Sequence, residues 1–319
     1  MMPVETSASA SGILIGIIQF LIIIILAPLL TGIMRKIKAI TQKRTGPSIF
    51  QPYFNLLKLI RKDEVISEDS SWIFRFSPWI IFSSTLVIAF FVPIFVAYPQ
   101  FGIGGDIILV IGLFGLSRFF LMLAGLDVSS SFGGIGVSRE MMISSLIEPA
   151  LFLALFTLAV IYGSTNIDTI VYHAATSSIM ISASLLFSLF GFFIIVMAET
   201  GKLPFDNPTT HLELTMVHEA MVLEFSGKRL ALIELSQSIK QILLLSLLIN
   251  FFVPWGLSTS FSLYEIIVGF MVFFLKLISL GILIAYIETK VAKWRLFRIP
   301  DLIILSMASG LMGMIFLYI

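Results

Sequence analysis

Apolar runs of about twenty residues recur eight times along this chain of 319 residues, near positions 13–35, 76–98, 105–125, 140–163, 177–198, 235–256, 262–289 and 300–318. A helix needs about 20 such residues to cross the hydrocarbon core of a bilayer, so each run predicts one crossing. The short alternating segments of a transmembrane barrel are absent. Charged residues make up only 12% of the chain and its mean hydropathy is +1.05. Soluble domains carry roughly twice that share of charge. The expectation is an all-α polytopic membrane protein of eight transmembrane helices, with 1–319 forming a single integral membrane domain.

Lysine and arginine orient the spans. Arg35, Lys36, Lys38, Lys43, Arg44, Lys58, Arg61, Lys62 and Arg75 crowd the segment 35–75, and Arg139 lies in the joint 126–139. Lys202, Lys228 and Arg229 follow in 199–234, and Lys290, Lys293, Arg295 and Arg298 in 290–299. The intervening joints and both termini carry neither residue type. Positive charge marks the cytoplasmic side, so both termini are expected outside, in a multi-pass protein of the cell membrane. The N-terminus lacks the basic region of a cleaved signal, and the apolar stretch after it is too long for one.

There is no cysteine, so this chain can hold no thiolate-ligated cluster and form no disulfide. His173, His211 and His218 fall in stretches that read as loops, and no His-Glu-x-x-His motif is present. Redox cofactors are therefore expected on other chains. The cluster "FGGIG" at 132–136 follows no strand, so it reads as a tight turn before the fourth span rather than a dinucleotide site.

Two basic-side loops carry patterns of their own. In "QPYFNLLKLIRK" (51–62), Tyr53, Leu56, Leu57 and Ile60 follow helical spacing, while Lys58, Arg61 and Lys62 lie mostly off that stripe. This predicts a short amphipathic helix at the membrane surface or under a partner. The loop 199–234 gathers Glu199, Asp206, Glu213, Glu219 and Glu224 directly after an apolar span. Asn207 is placed to cap a helix with Pro208 at its first position, running through "TTHLELTMVHEAMVL".

Ionisable groups inside spans cost on the order of 2.5–3.5 kcal/mol each at mid-membrane. Here they are Arg118, Glu140, Glu148, Lys240 and Lys276. Glu140, Ser144 and Glu148 line one side of a helix, with roughly 12 Å of rise between the carboxylates. Pro149 frees the carbonyl of Ser145 and can kink the helix there. Glu148 and Lys276 read as too deep to reach either surface. One reading is structural ion pairing, with Arg118 or Lys276 neutralising a glutamate. The other is a proton path of carboxylates and lysines, entered through the acidic loop as an antechamber.

The stretches "RTGPSIFQPYFNLLKL" (44–59), "SREMMISSLIEP" (138–149) and "AETGKLPFD…LEFSG" (198–227) resemble the membrane subunit of group 4 energy-converting NiFe hydrogenases, homologous to NADH dehydrogenase subunit 1 of respiratory complex I. That resemblance implies an anchoring and coupling subunit without catalytic residues or metal of its own. It implies partners: a NiFe hydrogenase large subunit, a small iron–sulfur subunit, a ferredoxin-like iron–sulfur subunit and antiporter-like membrane subunits. The iron–sulfur clusters and the NiFe centre would sit on those partners, with no cofactor on this chain and no nucleic acid involved. Glu148, Glu199, Glu213 and Glu224 match acidic positions of the complex I proton path, and Glu140, Asp206, Glu219, Lys240 and Lys276 are candidates beside them. The loops 36–75 and 199–234 would dock the redox arm through Arg44, Gln51, Lys58, Arg61, Lys202, Phe205 and Asp206. Gly201 and Lys202 stand where complex I subunits carry Asn-Arg, and Asn55 where aspartate is usual. These departures look like the hydrogenase branch, which needs no quinone. A quinone-binding subunit of a complex I-like or ferredoxin-driven oxidoreductase is the alternative, and a self-contained transporter a third.

Overall fold

The computed structural model describes residues 10–67, 70–97, 105–177, 182–206, 216–259 and 262–318, and every regular element among them is a helix. In chain order these are α1 (Ala10–Thr41), α2 (Gln51–Arg61), α3 (Trp72–Phe91), α4 (Ile107–Asp127), α5 (Ser131–Tyr162), α6 (Ile167–Thr176), α7 (Ala183–Glu199), α8 (Gly227–Phe252), α9 (Leu263–Lys290) and α10 (Ile299–Ile315). Seven of them, α1, α3, α4, α5, α8, α9 and α10 together with the 3-10 turn Leu296–Arg298 that leads into it, are long and apolar enough to cross a membrane. Helix α7 is equally apolar but has 17 residues, about 25 Å of rise. Helix α8 lies at the centre, where every residue from Gln241 to Phe251 is buried. Around it pack α1, α2, α3, α7 and α9, while α5, α7 and α10 form a second group.

Local chemistry explains where the helices begin. Asp127 at the end of α4 accepts the backbone N–H of Ser71 at 2.7 Å and of Phe74 at 3.2 Å, so one carboxylate caps the start of α3. The Asn166 side chain accepts from Asp168 and Thr169, opening α6.

Several expected boundaries are corrected. "FGGIG" is no turn: it lies inside α5, which starts at Ser131 and so takes in most of the expected joint. A Cβ on Gly136 would meet the Ala220 Cβ at 2.8 Å and the Val217 carbonyl oxygen at 3.0 Å. Glycine there admits the 216–221 backbone against the helix, which is why the cluster is helical. Helix α8 begins at Gly227, earlier than the apolar run suggests, and His173 lies in α6 rather than a loop. The amphipathic helix is present as α2, but it turns Pro52, Asn55, Leu56 and Leu59 inward and leaves Phe54, Leu57 and Ile60 exposed. Of the acidic-loop helix, residues 207–215 lie outside the described residues. The rest, 216–223, holds only a 3-10 turn, Glu219–Met221, because Asp206 takes the N–H groups of Val217 and His218 at 3.3 and 3.1 Å.

Helix α3 also stops early, at Phe91 before Pro93, and α8 stops at Phe252 before Pro254. The stretch 92–97 is buried without being helical, so its backbone needs partners other than water or lipid. It finds them. Ala97 N–H donates to the Ser258 carbonyl at 2.8 Å and Ser258 N–H to the Phe95 carbonyl at 2.9 Å. Gln19 accepts from Ile94 and Phe95, and the Asn250 amide donates to the carbonyls of Pro93 and Ile94.

Candidate functional site

The charges on the spans converge on one guanidinium. Arg118, midway along α4, pairs with Glu199 at the end of α7, with Glu148 on α5 at 3.3 Å and more loosely with Glu140 at 3.9 Å. Glu199 also receives the Lys240 ammonium of α8 at 2.5 Å. The side chains of Arg118 and Glu199 are only 3% and 2% exposed. A charge so buried is tolerable only when paired, and here each cation has its carboxylate. Four helices of different sequence origin are thus tied by one ionic knot.

Glu148 behaves otherwise than its position suggested. Its side chain is 50% exposed, so it looks out of the bundle's flank while touching Arg118 from the other side. The reason is visible in α5: Ser144 and Ile147 are buried, whereas Ser145, Glu148 and Pro149 point outward.

Beneath the knot opens a cavity of about 880 Å³. Glu199, Lys240, Asp206 and His218 line it together with Arg35, Arg44 and Lys202. Asp206 is buried and accepts from Lys293 at 2.8 Å. His218 meets Gln237 through its ring nitrogen. Burial first, with Lys240 and Arg118 adding to it, holds the His218 imidazole below its usual pKa despite nearby Glu140 and Asp206. It is therefore neutral near pH 7 and can both give and take a proton.

The structure brings together Glu140, Glu148, Glu199, Asp206, Glu219 and Lys240 around this cavity and the knot above it. Glu224 is exposed on the loop, and Glu213 lies outside the described residues. Lys276 stands apart: its ammonium donates to the Val253 carbonyl at 2.6 Å and to that of Trp255, closing the end of α8 instead of meeting a glutamate. A cation at a helix C-terminus satisfies its orphan carbonyls. Of the docking candidates, Arg44, Lys58 and Arg61 are exposed, and Gln51 is held by Asn55 at 3.0 Å. Phe205 is instead buried in the main core, so it supports the loop from inside rather than offering a contact. Sequence reasoning underrated Arg118 as a hub and missed His218 and Lys293. A lone arginine in "IGLFGLSRFFLML" was the available signal for the first. Nothing linear joins the other two.

Residues 13–319 match the family model described as NADH dehydrogenase. Hydrogenase-4 component C of Escherichia coli (strain K12) is 36% identical over 315 residues, 98% of either chain. Formate hydrogenlyase subunit 4 of the same organism is 34% identical over 293 residues, 91% of this chain and 93% of that one. NADH-ubiquinone oxidoreductase chain 1 of Arabidopsis thaliana is 26% identical over 285 residues, covering 85% of this chain and 86% of that one. A chain in the structure of the membrane-bound sulfane sulfur reductase, an archaeal respiratory membrane complex, has the same fold: TM-score 0.80 at 21% identity, over 95% of this chain and 99% of that one. With its array of long apolar helices, the chain is a multi-pass membrane protein belonging to the NADH dehydrogenase family, in the branch of the hydrogenase-4 and formate hydrogenlyase membrane subunits.

Proposed function

We propose that this chain anchors the redox arm of an energy-converting hydrogenase in the cell membrane and couples proton reduction there to movement of protons or sodium ions. The observation that carries the reading is a cluster of ionisable groups at one cavity. His218, Asp206, Glu199 and Lys240 line it, and the Arg118 guanidinium pairs both Glu199 and the flank residue Glu148. Such a cluster links the face where a redox partner would sit to the side where another membrane subunit would. The iron–sulfur and NiFe subunits would dock on Lys58, Arg61 and the 199–234 loop beyond Lys202, and antiporter-like subunits would cover Glu148. The test uses the complex purified with its native subunits, a NiFe large subunit among them by mass spectrometry, and sealed into vesicles. Glu148→Gln is expected to leave assembly intact and reduce ion uptake during turnover to background. Unchanged uptake would make the carboxylate structural.

The positive-inside rule supports a cytoplasmic cavity face, α7 as an eighth crossing and both termini outside. Because the chain has no cysteine, a single Thr176→Cys substitution in α6 reports the orientation. It is expected to react with an impermeant maleimide added outside the cell. Labelling only from the cytoplasmic side would reverse the assignment.

A further inference from the structure

Most charges lining the cavity are neutralised within the chain. Glu199 has Arg118 and Lys240, Asp206 has Lys293, and Lys38 has Glu288 at 2.6 Å. Three cations are left over. Arg35, Arg44 and Lys202 line the same cavity and, among the described residues, make no side-chain hydrogen bond or ion pair. Burial, the largest cause, brings Lys202 down to about 8; the Glu288 carboxylate opposes this, and Lys38 and Arg35 add to it as like charges. The carboxylates of Glu219 and Glu234 line the cavity too, and Glu234 feels Arg35, so the three bases still outnumber the acids beside them. Such a group of like charges is stable when an anion sits among them. Arginine and lysine bind phosphate oxygens through charge-assisted hydrogen bonds, arginine in a planar fork.

Part of the cavity wall is apolar. Met34, Pro52 and Leu56 line the cavity with the three cations. Ile40 at the end of α1 and Phe50, Phe54 and Leu57 around α2 are exposed nearby. All of this lies around the C-terminal end of α1, past its apolar run. The ligand that fits has an anionic head and hydrocarbon below it. A neutral quinone head would leave the three cations uncompensated, and a soluble anion would leave the apolar wall unused.

We propose that the mouth of this cavity binds an anionic phospholipid, with Arg35, Arg44 and Lys202 holding its phosphate and the apolar wall taking the upper part of its chains. Basic pockets between helices at the cytoplasmic face are suited to such head groups. The site shares its cavity with Glu199 and Lys240 of the knot but uses other side chains, and its occupancy is read without measuring ion uptake. It therefore stands or falls independently of the coupling role.

The test is lipid retention. The intact complex is washed in detergent until bulk lipid is gone, and what remains is extracted and identified by mass spectrometry. One anionic phospholipid per copy of this chain is expected to survive the wash. Each of Arg35→Gln, Arg44→Gln and Lys202→Gln is expected to weaken retention about fivefold, with Lys202→Arg keeping it. A second measurement on the unaltered complex covers variants that fail to assemble. Its melting temperature is expected to be higher in nanodiscs containing phosphatidylglycerol than in phosphatidylcholine alone, with no such gain from inorganic phosphate. Retained quinone, no retained lipid, equal melting in both lipids, an equal gain from free phosphate, or an acidic partner segment cross-linked to Lys202 would each overturn the proposal.

Discussion

Arg118→Leu is expected to be the most damaging single substitution in the bundle. The guanidinium serves Glu140, Glu148 and Glu199 at once from a side chain that is 3% exposed. Leucine fills much of its volume but leaves buried carboxylates facing one another across the junction of α4, α5 and α7. Removing one partner of a buried ion pair costs roughly 3–5 kcal/mol, enough to consume much of a membrane domain's margin. The expected readout is a loss of assembled complex and a sharply lower melting temperature in detergent. Arg118→Lys should recover part of the loss, since an ammonium keeps the charge but lacks the fork that reaches several carboxylates. A leucine variant that melts like the unaltered protein would show that the knot contributes nothing to stability.

The second large effect is expected at Glu199. Glutamine there keeps size and hydrogen bonding, yet it removes the anion shared by Arg118 and Lys240. Lys240 then has no carboxylate within ion-pairing distance among the described residues, so about 3 kcal/mol or more of stability should be lost. Glu148→Gln, at a half-exposed site, should cost about 1 kcal/mol or less. The two glutamates therefore separate what one assay would confuse: Glu148→Gln tests transport alone, and Glu199→Gln tests transport and architecture together. A double-mutant cycle makes the distinction quantitative. Adding Lys240→Met to Glu199→Gln should restore part of the lost stability, because it removes the cation left unpaired. Strictly additive losses would mean that the 2.5 Å contact carries no coupling.

Much of this architecture was legible because hydrophobic length is a one-dimensional property. The crossings, the amphipathic α2 and the concentration of charge in two loops all follow from it. What failed to show was tertiary in origin. Nothing in "FGGIG" reveals that Gly136 must admit the backbone of Val217 from a loop about eighty residues away, so the stretch reads as a turn. The apolar residues Val92, Ile94, Phe95 and Val96 predict that helix α3 runs on to position 98. Pro93 was the linear signal that it stops sooner, and Gln19, Asn250 and Ser258 then supply its backbone with other partners. Glu148 and Lys276 look alike in sequence, each a lone charge in a span. Only packing distinguishes the carboxylate on the flank from the ammonium that seals the end of α8.

The buried break after α3 has a consequence for biosynthesis. As residues 92–97 enter the bilayer, Gln19 has already been translated and can take the amides of Ile94 and Phe95. The carbonyls must wait: Asn250, whose amide donates to that of Ile94, lies 156 residues further along the chain. Until it is made, those oxygens need water, and hydrocarbon supplies none. The first segments to leave the ribosome therefore cannot settle at their final depth alone. A nascent chain halted before α8 would carry an unfinished outer edge, and the last half of the polypeptide acts as the tool that completes the first.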